Sequence, residues 1–138
     1  PLRRQRQMCI RDSGYNYDQT DSENKIAKSM ASPLSIEGNI DKCNPDTQIG
    51  WYKTTEEGSV GTNLRLNNSS GFNAIPEGLV NVGRGFQFLG YSAHFWTSTY
   101  NQQGNANSYR ITNNSVNLNK TYYTVVNQGL SVRFVRDN

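Results

Sequence analysis

The sequence predicts an α+β domain that is predominantly antiparallel β, and three observations carry that expectation. Apolar and polar residues alternate with a period of two in several short runs after Gly71. Turns rich in Gly and Asn separate those runs every few residues. Only one stretch, just before Ser32, has the makings of a helix.

Each element follows in order. Gly14 to Thr20 is polar and aromatic and reads as irregular chain. Asp21-Ser22-Glu23-Asn24 places acidic and capping-type residues before Lys25-Ile26-Ala27-Lys28-Ser29-Met30-Ala31, so a short helix is expected there. Ser32 to Gly50 holds Pro33, Gly38, Asn44-Pro45-Asp46 and Gly50, and reads as loop, with Asn44-Pro45-Asp46 a turn. Trp51 is expected in the core or as an anchor, and Glu57 to Ser70 is turn-rich. Leu79-Val80 ends a short apolar run. Phe86, Phe88 and Tyr91 follow at strand-like spacing among Gly83, Gly85 and Gly90. Ala93 to Thr99 is aromatic and β-branched, the composition of a strand. Tyr109 and Ile111 alternate with Ser108, Arg110 and Thr112, and Val116 and Leu118 with Ser115, Asn117 and Asn119. Asn113-Asn114 between them reads as a two-residue hairpin link. Tyr122 to Val126 is a further strand, and Leu130, Val132 and Phe134 belong to the last. About six short strands at this spacing imply an antiparallel sheet with one wet face. Phe86, Phe88, Val132 and Phe134 are expected in its core.

The first residues stand apart. Arg3 to Ser13 reads RRQRQMCIRDS, which back-translates into the adapter of transposase-based sequencing libraries. Residues 1–13 are therefore read as a non-native tail, and residues 14–138 as the native part. Four of the 14 basic residues and one of the 11 acidic ones lie in that tail, so the native part is formally neutral. Its cations are scattered, whereas a polyanion partner needs a concentrated positive patch, so nucleic acid is set aside. Cys9 falls in the tail and leaves Cys43 alone, and His94 is the single histidine. A zinc site wants about four such ligands, so no metal or cofactor is expected. No stretch has the length to span a membrane. Eight tyrosines and five phenylalanines on a lightly charged chain rich in Asn, Ser, Thr and Gly describe a folded, polar β domain with an adaptable surface.

Candidate functional residues follow from that composition. A strip from Tyr100 to Tyr123 concentrates Tyr and Asn, which offer flat apolar area and paired donors and acceptors. It is either a solvated sheet face or a ligand surface. As a ligand surface its candidates, with Tyr91 added, are Tyr91, Tyr100, Asn101, Asn107, Tyr109, Asn117, Asn119 and Tyr122. Trp51 and Trp96 are read as core rather than sugar-stacking residues. His94 is read as a surface or internally satisfied histidine, since no nucleophile-elbow string accompanies it. No enzyme is expected.

Three strings stand in order: Asn67 to Gly78 (NNSSGFNAIPEG), Phe95 to Thr99 (FWTST) and Gly129 to Asp137 (GLSVRFVRD). With Lys25 to Ser32 and Glu57 to Gly61 before them, they resemble the C-terminal part of the Fibrobacter succinogenes major paralogous domain. The resemblance runs from Lys25 to Asp137 and implies a C-type-lectin-like fold that is truncated at its N-terminus. It implies a bacterial surface or secreted protein that displays or binds, with a glycan or protein as ligand. Relatives of that fold add two alternatives: a retroelement-diversified variable receptor and a formylglycine-generating type of enzyme, which needs a cysteine pair. The chain departs from the pattern at Phe95 for Trp, Thr97 for Ser, Tyr100 for an acid and Phe134 for Cys. Loss of the early strand implies an exposed edge at Ser131 to Val135.

Overall fold

The computed structural model describes residues 15–20, 23–36, 50–123 and 127–133. Expectations about Pro1 to Ser13, Cys43, Asn44-Pro45-Asp46, the end of the Tyr122 to Val126 strand and Phe134 fall outside those residues.

The helix α1 is a single turn, Ala27–Met30. No side chain caps it, and Ala31 turns extended to pair in parallel with Ala74. The Met30 carbonyl accepts from Ala74 N at 2.7 Å, which ends the helical ladder. A 3-10 turn, Leu64–Leu66, interrupts the loops that follow.

Six strands come next. They are β1 (Leu79–Asn81), β2 (Gly85–Gln87), β3 (Ser92–Tyr100), β4 (Ala106–Thr112), β5 (Asn119–Tyr123) and β6 (Gln128–Gly129). They form two three-stranded sheets, ordered β2-β1-β6 and β3-β4-β5, antiparallel throughout. The sheets meet at the outer edge of β3, where Gly78 pairs with Ala93 and Ser131 with Phe95. Ser131 N donates to the His94 carbonyl at 3.1 Å, and its own carbonyl accepts from Trp96 N at 3.2 Å. The stretch expected as the last strand therefore has β3 as a neighbour at Ser131.

The core lies between the long sheet and the loop-rich first half. Ala93 and Ile111 meet Ile26, Ala27, Met30 and Ala31 from around α1, and Trp51, Val60, Leu64 and Leu118 from loops. Phe72, Phe95 and Tyr109 close its rim. Trp51 is fully buried, as expected.

Three expectations are corrected. Phe86, Phe88 and Val132 are surface residues, with Phe86 85% exposed. Phe86 sits on the outer strand of the small sheet, which leaves β2 with a neighbour on one side only among the described residues. Asn113-Asn114 does not close a two-residue hairpin. Arg110 pairs with Asn119, so residues 113–118 form a loop, and Val116 and Leu118 are not in a strand. The loop is held by other partners: Gly61 N donates to the Asn113 carbonyl, Val60 N to Ser115 and Ala27 N to Val116. The single expected sheet is two.

Asparagine side chains replace missing strand pairing in the loop half. Asn24 Nδ2 donates to the Leu118 carbonyl at 2.6 Å while Leu118 N donates to Asn24 Oδ1 at 3.1 Å. Asn67 Nδ2 reaches the carbonyls of Ser32 and Val60, and buried Asn16 accepts from Lys25 N. Irregular backbone inside a fold needs such partners.

Candidate functional site

Strand register decides which candidates face out. Ala93 opposes Ile111 and Phe95 opposes Tyr109, so these four share one face of the long sheet. That face is the core face. Tyr109 is half-buried on it. Asn107 shares the same phase and is buried, with Nδ2 donating to Thr99 Oγ1 at 2.7 Å. Both residues were expected to point outward. The phase of Ile111 fixes them inward.

The remaining candidates do not gather. Tyr100 is exposed at the far end of β3. Half-buried Asn101 shapes the turn into β4, its Oδ1 accepting from Gln103 N and Asn105 N at 3.0 and 2.9 Å. Asn117 is exposed in the 113–118 loop, and Asn119 is half-buried opposite Arg110. Tyr122 opposes Asn107, and its side chain is outside the described part. Nine strand residues at the usual rise put Tyr91 roughly 30 Å from Tyr100. The Tyr/Asn strip is not one surface.

Tyr91 belongs to a different cluster. Its ring lies 4.5 Å from that of Tyr52, tilted by 33°. Phe88 and Leu89, just before Tyr91 in the chain, are exposed, and so are Val82 and Phe86 at the β1–β2 hairpin. The backbone beneath is firmly held. Tyr52 N donates to the Gly90 carbonyl, Tyr91 N to Phe88, and the Tyr91 carbonyl accepts from Asn113 N. A Cβ on Gly90 would come within 2.5 Å of the Ile36 side chain, so the turn is packed tight. Phe88 has φ of 64°, a left-handed conformation that is strained for an aromatic residue. The aromatic shoulder could have been suspected from Gly83, Gly85 and Gly90, which crowd the run and leave few neighbours to cover its rings.

Ser92 Oγ lies 2.9 Å from His94 Nε2, a spacing also found in activated nucleophiles. Both residues are buried, and Arg110 faces His94 across the register. Burial first, and the Arg110 charge second, lower the imidazole pKa to about 4. Such a group is a weak base at neutral pH, and the pair is a buried hydrogen bond. His94 is thus the internally satisfied histidine expected. Among the described residues no three His, Cys, Asp or Glu side chains gather to hold a metal ion. Nor, among them, is any helix long and apolar enough to cross a membrane.

No curated protein and no solved structure matches the chain significantly. One family model does, that of the Fibrobacter succinogenes major domain, over residues 7–136. The match covers the residues of both sheets and of the three motif strings except Asp137, and the chain belongs to the Fibrobacter succinogenes major domain family.

Proposed function

We propose that this chain is a non-catalytic binding module of a bacterial surface or secreted protein, contacting a glycan or a protein through the shoulder centred on Tyr91. The carrying observation is the exposure of Phe88, Leu89 and Tyr91, near neighbours in the chain, on a tightly held backbone, with Val82 and Phe86 exposed at the β1–β2 hairpin. Contiguous exposed apolar side chains mark contact surfaces, and a rigid aromatic anchor loses little entropy on binding. The strain at Phe88 supports the same reading, because the chain holds that ring in water at a conformational cost.

A glycan array and a pull-down with the whole parent protein test it, alongside Tyr91→Ala and Phe88→Ala. Each substitution should weaken binding by about 2 kcal/mol if it removes a central anchor. Capture of the same ligand by both variants at unchanged affinity would end this reading.

A further inference from the structure

We propose that the groove between Glu77 and Arg133 is a second contact site, shaped for a single neutral sugar ring. It rests on the chain being a binding module, and it is independent of the Tyr91 shoulder.

The segments at Gly78 and Ser131 both approach the outer edge of β3, at Ala93 and Phe95. Beside that edge lies a half-open cavity of about 190 Å3, lined by Ile75, Glu77, Phe95, Ser131, Val132 and Arg133. Drug-sized ligands need roughly 300 Å3 or more. This volume suits one monosaccharide. All three motif strings contribute lining residues: Ile75 and Glu77, then Phe95, then Ser131 to Arg133.

The lining chemistry selects the ligand. The accessible lining is mainly polar, with Ile75, Phe95 and Val132 adding a small apolar edge for one C–H group of a sugar, and Val132 is exposed to water. Glu77 Oε2 accepts from the Ser131 hydroxyl at 2.8 Å. A carboxylate accepts about four hydrogen bonds, so acceptor capacity remains for sugar hydroxyls. The Arg133 guanidinium donates to the carbonyls of Phe72 and Asn73 and stacks 4.4 Å over the Phe72 ring. Phe72 in turn meets Phe95 edge-on at 5.4 Å, so the charge is fixed in place. A guanidinium carries five N–H donors, more than those two carbonyls use. An anion entering the groove would meet Glu77 and a cation would meet Arg133. A neutral polyol can use both rims.

The test is an NMR titration of the full chain with methyl glycosides of common hexoses, repeated for Glu77→Gln, Val132→Trp and Tyr91→Ala. Shifts at Phe95 and Val132 amides are expected, with binding about tenfold weaker in Glu77→Gln from loss of charge-assisted bonds. Val132→Trp should block the groove without touching the core, since that side chain is exposed. In Tyr91→Ala the hexose-induced shifts at the Phe95 and Val132 amides should persist, whatever is lost at the shoulder. Sugar binding unaffected by both groove variants, or no hexose binding at all, overturns the proposal. Ligand capture that depends on Tyr91 would survive either result, so the two readings fail separately.

Discussion

The Lys28 ammonium donates to the Ser59 carbonyl at 3.2 Å and to the Thr62 carbonyl beside it. A side chain of α1 thereby fastens a loop 31 residues further along. Burial lowers the Lys28 pKa to about 8. Between that value and the usual 10.5 the unfolded chain holds the proton more often than the folded one. Stability therefore rises with pH across this window. Urea unfolding at pH 8 and pH 10 should show a larger rise in the parent than in Lys28→Met. An equal rise in both would refute the assignment.

His94 gives the acid-side counterpart. Its folded pKa, about 4, lies below the ordinary 6.5, so the folded state resists protonation. Stability should fall as pH drops from 6.5 towards 4. His94→Gln should flatten that part of the profile. Asp18, held near pKa 2 chiefly by the Lys25 hydrogen bond, adds its own loss only below its usual 3.8. A profile between pH 6.5 and 5 that is the same in His94→Gln would contradict the buried placement.

Among the described glycines Gly78 has the closest clash with backbone. It has φ of 70°, and an added Cβ would fall 1.9 Å from the Gln87 carbonyl oxygen. Gly83 and Gly104 also have positive φ, but open space surrounds them. Gly78→Ala should cost more than about 4 kcal/mol, the range of severe backbone lesions. Gly104→Ala should cost about 1–2 kcal/mol, from conformation alone. Thermal melts of the two variants rank them, and the reverse order would be incompatible with the β1–β2 geometry.

Trp51 and Phe86 separate buried from exposed aromatics. Trp51→Ala should cost about 3–5 kcal/mol through its cavity. Phe86→Ala should change stability by less than about 0.5 kcal/mol, as for a surface site. If Phe86→Ala destabilised as much as Trp51→Ala, the small sheet would have to be part of the core.

Strand β3 was legible from the aromatic and β-branched composition of Ala93 to Thr99, and β4 from the period-two alternation of Tyr109 to Thr112. Helix α1 was legible from its residue types, though shortened by the Ala31–Ala74 pairing. Part of the core was not legible. Val60 and Leu64 come from turns with no periodicity to betray them. Alternation says which residues share a face and not whether anything covers it, so Phe86 and Phe88 looked internal. Tyr109 could have been placed inward, because it alternates in phase with Ile111. The many asparagines resembled a binding face, but several are committed to backbone partners, Asn16, Asn24 and Asn67 among them.

The mutual bonds between Asn24 and Leu118 join positions 94 residues apart. Closing so long a loop must precede any reward from the contact, which slows folding. On the ribosome the α1 region cannot reach its final partners until the 113–118 loop has emerged. The loop half must therefore wait, with its apolar side chains uncovered, for nearly the whole described chain to be synthesised. Early release or truncation within β4 would leave that half without its lid and prone to aggregate.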